Sequence, residues 1–596
     1  MKIKNLYFIL LALILSPSSK AIEAFGYVFD SNKVPLAGVM VTLIEETNGH
    51  SVTVYTDESG KYQLQSSLIG QLKLRARTAY YKDQFFEITQ NNDDALEVFF
   101  ALERLQTAIE LSNDQTASAH AKQIEWKNEK LKQAFRNQCH FCHQIGNELT
   151  RIPKTEEMWQ ATISRMEGYA VLITDETRKD FAQALSKAFD GKPIEAIQSW
   201  DYSPELTKSV YKEWSVGNAS SFVHDVEINH HDNSLYGVDM GNDKFYKLDI
   251  QSNQMTSIDF PGNNLPMGGF FSGQLAPLGT FNAKQGPHSI QYGPEDYPST
   301  KNKMWTTNSL ASEIMSLDVI TGEMKVYPIG GDTLYPHTLR FDAKGKLWFT
   351  AALSNQIGYF DPETEEFNII NLPSNGFTRW FADAMMPSLL SITSWFPKEN
   401  LHLDLSHHKM TKTGYDILNL PYGIDISPVD GKVWYSKLNA GYIGFVDPVT
   451  LEVTEYKTPK AGPRRFRIDN KGILWIPSFE ESALMMFDPK TESFEVFELP
   501  LLAPKEYEVP YAVGIHPETQ EIWITSNMSD RVFRFNPDNT SWISYPSPTK
   551  VNFMRDIVFT SDGGVCSSNA NLPAIAIEGG KQKILCIYPD GNLNQN

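Results

Sequence analysis

A repeating unit of about forty residues occupies the last two-thirds of this 596-residue chain. Each clear copy opens with a proline, continues through a tryptophan-containing strand and closes with a turn such as Phe360-Asp361-Pro362. Clear copies open at Pro336, Pro421, Pro463 and Pro510, and divergent copies begin near His224, Pro287 and Arg555. Seven copies of a four-strand unit predict a seven-bladed β-propeller over residues 206–596.

The ends of the repeat region indicate how the ring closes. The last copy supplies three strands without an outer one, whereas residues 209–214 have the pattern of outer strands elsewhere. We expect residues 209–214 to complete the last blade, which removes an open strand edge. Cys566 and Cys586 then lie on neighbouring strands of that blade, and a disulfide is favoured over a catalytic role for them.

Residues 22–104 have the short strands and turn residues of a β-sandwich. The elements Pro35-x-x-Gly38-Val39 and Thr56-Asp57-x-x-Gly60-x-Tyr62 make this stretch resemble the carboxypeptidase regulatory-like domain. That resemblance implies a structural or adhesive module, and no catalytic constellation occurs in it.

The segment Cys139-His140-Phe141-Cys142-His143 has the spacing of a haem c attachment motif. Two thiols bond to the porphyrin edge and the adjacent imidazole binds the iron, so Cys139, Cys142 and His143 are expected to hold one covalent haem c. The alternatives are a redox dithiol or a chance spacing. The helical pattern of residues 123–189, after a polar connector at 106–121, makes residues 123–197 look like a small monohaem cytochrome c domain.

An electron-transfer haem usually takes a second axial ligand. Met166 is the first candidate, with core packing as the alternative for its side chain. For Met158 core packing is favoured, and His120 and His140 are weaker candidates because of their positions in the connector and the attachment loop.

The N-terminus has the pattern of an export signal. Lys2 and Lys4 precede an apolar run at residues 6–15, and Ser19-Lys20-Ala21 fits a cleavage site. We expect residues 1–21 to be removed near Ala21 and the mature protein to reside in the periplasm. No later segment approaches the ~18 apolar residues of a membrane-spanning helix, and a net charge of −19 disfavours nucleic-acid binding.

The position that follows each blade-opening residue defines a set of seven polar side chains at one mouth of the predicted propeller. Three imidazoles, two phenols and two guanidiniums suit an anionic or carbonyl-rich ligand, and they are the candidate catalytic residues. The alternative is that they are rim residues around trapped water. The set is His224, His288, His337, Tyr422, Arg464, Tyr511 and Arg555.

The proline-histidine openings, tryptophan strands and Phe-Asp-Pro turns make residues 222–591 resemble the streptogramin B (virginiamycin B) lyase family. That resemblance implies elimination across an ester bond by a ring histidine and a glutamate that closes the tryptophan strand, with magnesium. Only the first blade pairs a ring histidine with an acid, His224 with Asp239, which puts lyase chemistry in doubt. The closing positions hold Asp239, Asn308, Ala351, Lys437, Ser478, Ser526 and Ser568.

Two insertions interrupt the repeats. Residues 262–285 are rich in glycine and proline and predict a loop. Residues 377–419 are rich in aromatic residues and predict a lid over the mouth or a dock for the helical segment. His407 and His408 are possible metal ligands there, although loop histidines are mostly solvated.

These features favour a periplasmic oxidoreductase or electron-transfer protein. A small molecule or redox-protein partner at the propeller mouth would pass an electron to the haem and then to an external carrier. The alternatives are a lyase that uses His224 or His337 as general base, and a non-catalytic binding platform.

Overall fold

The computed structural model describes residues 22–88, 95–167, 169, 171–196, 202–271, 283–330, 332–393 and 415–591. The predicted signal segment, residues 1–21, lies outside the described residues, as do residues 272–282 and 394–414 of the two insertions. The fold is mainly β, as predicted, with an N-terminal sandwich, a helical segment and propeller-like sheets.

The N-terminal sandwich contains two sheets that face each other across an apolar core. One sheet has the order β4-β1-β7, and strands β3, β2, β5 and β6 are neighbours in the other. The strands are β1 Ile22–Asp30, β2 Met40–Glu45, β3 Ser51–Tyr55, β4 Lys61–Ser66, β5 Leu72–Arg77, β6 Gln84–Ile88 and β7 Leu96–Leu102.

The two sequence elements of this domain have clear structural roles. Thr56 Oγ1 accepts the backbone N–H of Val39 at 2.9 Å, which ties the two elements together. Gly60 has a φ of +76°, and a Cβ there would lie 2.4 Å from the carbonyl oxygen of Val28. Tyr62 donates its hydroxyl to the carbonyl of Val98 at 3.0 Å. The turn therefore requires glycine, and the tyrosine bridges two strands of one sheet.

Five helices lie in the described part of the helical segment, each of them short and most capped by a threonine or asparagine side chain. Two of them, α1 and α2, occupy residues for which the sequence predicted a polar connector. That prediction was wrong because threonine caps and apolar alanines start helices there that polarity alone does not reveal. The helices are α1 Ala108–Asn113, α2 Ala117–Ala121, α3 Glu129–Cys139, α4 Glu156–Glu167 and α5 Asp175–Ala188.

Seven sets of four antiparallel strands follow; six are separate sheets with their strands in chain order, and the last is part of an eight-stranded sheet. The first six contain β9–β12, β13–β16, β17–β20, β21–β24, β25–β28 and β29–β32, and the last contains β33, β34, β35 and β8. Their strands are β8 Val210–Val216, β9 Val223–Ile228, β10 Leu235–Asp239, β11 Lys244–Asp249, β12 Gln254–Asp259, β13 Pro287–Tyr292, β14 Lys303–Asn308, β15 Glu313–Asp318, β16 Met324–Pro328, β17 Pro336–Phe341, β18 Leu347–Ala351, β19 Gln356–Asp361, β20 Glu366–Asn371, β21 Pro421–Ile426, β22 Val433–Lys437, β23 Tyr442–Val446, β24 Val453–Lys457, β25 Arg467–Ile468, β26 Leu474–Ser478, β27 Ala483–Asp488, β28 Ser493–Glu498, β29 Val513–Ile515, β30 Ile522–Ser526, β31 Arg531–Asn536, β32 Ser541–Pro546, β33 Val558–Phe559, β34 Val565–Asn569 and β35 Gln582–Tyr588.

These sheets pack as the blades of a propeller. From β9 to β29, the first strand of each sheet lies against the first strand of the next, and β33 and β34 of the last sheet lie against β9 of the first. The repeat tryptophans, such as Trp305, Trp348 and Trp434, are almost fully buried in clusters that join adjacent sheets. The repeat pattern therefore encodes blade-to-blade packing as well as strands.

The last blade closes as predicted. Strand β8 pairs antiparallel with β35, from Val216 opposite Gln582 to Val210 opposite Tyr588, and so supplies the outer strand. Cys566 and Cys586 are opposite each other on β34 and β35 and form a disulfide. The other edge of β8 pairs with β3 of the sandwich, which makes one eight-stranded sheet.

The second insertion begins with a helix, α6 Phe377–Thr393. Its Trp380 and Phe381 are exposed, and the histidines at 407 and 408 are outside the described residues. Among the described helices, none is long and apolar enough to cross a membrane.

Candidate functional site at the propeller mouth

The helical segment packs on one mouth of the propeller. A single apolar cluster joins Leu131, Phe135 and Phe181 of the helices to Tyr422 and Phe553 of the propeller. Arg136 donates a hydrogen bond to the carbonyl of Glu480 at 2.8 Å. The loop that contains Cys139 and Cys142 is thereby held against the propeller.

The seven predicted ring residues meet at this mouth, and each is at most 3% exposed. His224, His288, His337 and Tyr422 form a continuous stack, with ring centroids 3.7, 4.1 and 3.9 Å apart. The remaining members are Arg464, Tyr511 and Arg555, which precede strands β25, β29 and β33.

Irregular strand pairing explains why these side chains reach the channel. The register of the first strand against the second shifts between Pro287 and Ile290, and between Pro336 and Leu339. A bulge of this kind lets successive residues approach the same side. The ring residue and the residue after it can therefore both contribute to the channel.

Two tyrosines connect the ring. Tyr422 and Tyr511 share a hydrogen bond of 2.5 Å between their hydroxyl oxygens. Arg464 Nη2 donates to Tyr422 Oη at 2.8 Å. Burial raises the pKa of Tyr511, but the guanidiniums of Arg464, Arg555 and Arg465 outweigh it, so the pKa lies below its usual value. The mouth is therefore electropositive.

The ring histidines are neutral at pH 7. Burial lowers the pKa of His224, His288 and His337 well below the usual value, and nearby positive groups lower it further. His224 Nδ1 donates to Asp225 Oδ1 at 2.8 Å, so its Nε2 can accept from Tyr511 Oη at 3.3 Å. The unprotonated His224 Nε2 is therefore a potential base beside the Tyr511 hydroxyl.

A second layer of charged residues lies directly beneath the ring and was missed by the sequence analysis. Arg465 Nη1 binds Asp225 Oδ2 at 2.7 Å and lies 3.4 Å from Asp556 Oδ2. Arg467 and Arg340 also pair with Asp556, at 2.7 and 3.4 Å. The sequence contained a signal for this layer, because a charged residue follows the ring position in the first, fifth and seventh copies. These residues are Asp225, Arg465 and Asp556.

Ligand atoms of His224, Asp225 and His288 lie within 4.8 Å of one another and could in principle hold a metal ion. The Asp225 carboxylate, however, already accepts hydrogen bonds from Arg465 and His224. The acid beside His224 is thus Asp225, not Asp239. Asp239 instead accepts hydrogen bonds from the backbone N–H groups of Phe222 and Gly241, at 2.7 and 2.9 Å. These bonds fix the end of its strand.

The loop Cys139–His143 covers the ring. The Phe141 ring lies 6.1 Å from the Tyr422 ring, and the Arg464 guanidinium is 4.6 Å from the Phe141 ring. Arg555 donates to the carbonyls of Phe141 and Cys142, at 3.1 and 3.3 Å. The motif and the ring, predicted separately, therefore form one site.

Cys139 and Cys142 are not bonded to each other. Burial raises the pKa of both thiols. His143 donates from Nδ1 to the carbonyl of Gln144 at 2.9 Å, which places the lone pair of the neutral ring on Nε2.

The other candidate ligands have separate environments. Met166 is half-buried in the last turn of α4, and Met158 is 54% exposed on the same helix, so its expected core packing was wrong. His120 lies in α2 and its Nε2 donates to the carbonyl of Ser112 at 2.9 Å. His140 Nε2 contacts Tyr507 Oη at 2.9 Å. Both histidines already have hydrogen-bond partners.

Comparison with known proteins agrees with the resemblance of the N-terminal domain. Residues 25–103 match the carboxypeptidase regulatory-like domain family. No curated protein matches the chain.

Solved propellers are similar to the rest of the chain at low identity. A streptogramin B lyase structure is 17% identical, covers 63% of this chain and 97% of its own, and has a TM-score of 0.45. A virginiamycin B lyase from Staphylococcus aureus is 14% identical, with coverages of 64% and 99% and a TM-score of 0.44. A β-propeller domain from Myceliophteria thermophila is 8% identical, with coverages of 62% and 98% and a TM-score of 0.42. The assignment of blades here rests on the strand pairing of the chain itself.

Proposed function

We propose that this chain is a periplasmic haem c protein that transfers electrons between a ligand or partner at the propeller mouth and an external carrier. The observation that supports the proposal is the position of the Cys139–His143 loop directly on the ring of polar side chains. A redox group attached there would lie beside any ligand of the ring.

The donor set fits the attachment of haem c. Cys139 and Cys142 are free thiols at the required spacing, and the hydrogen bond from His143 Nδ1 would leave Nε2 free to bind the iron. Raised thiol pKa values disfavour a redox dithiol, because that chemistry needs a thiolate. Met166 is the second residue that we propose would bind the iron. When bound, the haem would supply one-electron oxidation and reduction.

The residues of the chain orient the site and exclude water from it. Arg555 holds the attachment loop through two carbonyls, and Phe141 closes the mouth above Tyr422. Tyr511 Oη and His224 Nε2 can exchange a proton along their hydrogen bond, which would keep charge balanced when a ligand is oxidised.

The full chain, expressed with a c-type maturation system, should give covalent haem in a pyridine haemochrome assay and sharp bands after reduction with dithionite. His143→Gln should lose the axial histidine and change the spectrum. The matched control is His120→Gln, a buried histidine of the same segment that lies outside the motif, and it should keep the wild-type spectrum. A chain without covalent haem would overturn the proposal.

A second candidate is an eliminating lyase, and the neutral imidazoles of the ring favour it because a general base must be unprotonated. Incubation with a streptogramin B should then give a ring-opened product by mass spectrometry, with no change in the oxidation state of the haem. His224→Ala or His337→Ala should abolish it. Absence of product from the wild-type chain would remove this candidate.

A further inference from the structure

Arg464 and Arg555 are buried guanidiniums without a counter-ion. They are 0% and 1% exposed. Among the residues that the structure describes, neither forms an ion pair with a carboxylate. Burial raises the pKa of the nearby Glu480 carboxyl to about 8, which favours its uncharged form at pH 7.

Several donor atoms of this ring also have no acceptor. Within the described part of the chain, Arg464 Nε and Nη1 and Arg555 Nε are buried without a hydrogen-bond partner. Buried polar groups are normally satisfied, and a buried charge is normally paired. The set of free donors therefore indicates a missing anionic acceptor.

Aromatic rings surround Arg464 but do not replace that acceptor. Its guanidinium lies 3.7 Å from the centroid of Tyr511, 3.9 Å from Phe479 and 4.6 Å from Phe141. Cation–π attraction compensates only part of the desolvation of a charge and satisfies none of its in-plane N–H donors. The Nε and Nη1 donors of Arg464 remain available for charge-assisted hydrogen bonds to a ligand.

We propose that Arg464 and Arg555 bind a carboxylate group beneath the Cys139–His143 loop. Planar guanidinium matches a carboxylate geometrically, and two of them suit a ligand with two such groups. The site is closed above by Phe141 and Cys142, whose carbonyls accept hydrogen bonds from Nη1 and Nη2 of Arg555. The lowered pKa of Tyr511 is consistent with the positive potential of an anion site.

The carboxylate has two possible sources. It is either a propionate of the haem attached at Cys139 and Cys142, which rests on the proposed function, or a separate small carboxylate ligand, which does not. Both sources present the same chemistry to Arg464 and Arg555, so the experiment must vary the haem and the ligand independently.

Succinate is the probe, titrated by calorimetry into two full-length forms, the haem-loaded protein and a haem-free Cys139→Ser/Cys142→Ser variant. Sodium chloride at equal ionic strength controls for screening. We expect saturable binding that weakens at least tenfold in Arg464→Met and in Arg555→Met. Arg464→Lys, which keeps the charge, should retain part of the affinity, and Arg104→Met, an exposed arginine of the sandwich, should change nothing.

Binding by the haem-free form alone assigns the site to the haem propionates, and binding by both forms assigns it to a separate ligand. Absence of saturable binding in both forms, or methionine variants that bind succinate as tightly as the wild type, overturns the proposal. If no covalent haem forms at all, the proposed electron-transfer function fails, yet the titration of the haem-free chain still decides the carboxylate site.

Discussion

The propeller channel has two neighbouring layers of charged side chains that differ in how their charges are balanced. In the lower layer Arg465 is fully buried and is paired with Asp225 and Asp556. In the upper ring Arg464, the residue before it, is equally buried, contacts a tyrosine hydroxyl and aromatic faces, and has no ion pair with a carboxylate among the residues that the structure describes. Adjacent arginines thus serve different purposes: one holds the blades together, and the other is available to a ligand.

The difference is informative because a buried charge is stabilising only when its partner is present. The lower layer joins blades that are far apart in the chain, since Arg465 and Asp225 are separated by 240 residues. The upper ring lies under the Cys139–His143 loop, where a ligand or a cofactor can supply the missing charge. The predictions below test this contrast.

Arg465→Met should have the largest effect. It leaves the buried carboxylates of Asp225 and Asp556 without their shared partner, so the free energy of unfolding should fall by about 3–5 kcal/mol. Urea denaturation measures the change. The matched control is Arg464→Met, the same substitution one residue earlier. Equal losses in the two variants would show that the layers do not differ.

Glu480 gives a pH test of the upper ring. Burial raises its pKa to about 8, from 4.5 in the unfolded chain, so the folded state binds the extra proton between these values and loses stability as the pH rises. Between pH 5 and pH 7 the loss should be about 2–3 kcal/mol. Glu480→Gln should reduce the pH dependence of the wild-type chain by this amount, while other buried acids such as Glu227 keep their own contribution. If Glu480 were instead an ionised partner of Arg464, the glutamine variant would be less stable than the wild type at pH 7.

Arg464→Met should stabilise the protein in the absence of an anion. The substitution removes a buried charge that has no counter-ion, so the free energy of unfolding of the haem-free chain should rise by about 1–3 kcal/mol. Arg464→Lys keeps the charge and should give no gain. A loss of stability in the methionine variant, measured in urea without carboxylates, would mean that the ring is balanced as it stands.

The smallest expected effect concerns Tyr511, whose pKa reports the electrostatic potential of the ring. Its lowered pKa predicts one tyrosine that ionises below pH 10, visible in ultraviolet absorbance and absent from Tyr511→Phe. Arg464→Met should move this ionisation to higher pH. Tyr55 is the control, because burial raises its pKa well above 10 and Tyr55→Phe should leave the early transition unchanged. An unaltered curve in Tyr511→Phe would contradict an electropositive mouth.

The sequence by itself determined the parts of this protein that repeat or depend on local pattern. Seven copies of one unit predicted seven blades, and the missing outer strand of the last copy predicted the role of β8. The ring was predictable because every copy contributes the same position to one mouth. The haem remains a prediction from the spacing of Cys139, Cys142 and His143.

Only the tertiary structure decided how these parts meet. It joined β3 of the sandwich to β8 of the last blade, placed the Cys139–His143 loop on the ring, and paired Arg465 but not Arg464 with carboxylates. These outcomes depend on contacts between residues hundreds of positions apart. Local periodicity specifies which face of a strand is buried, but it does not specify which distant side chain will lie opposite, and that choice separates a structural charge from a ligand-binding one.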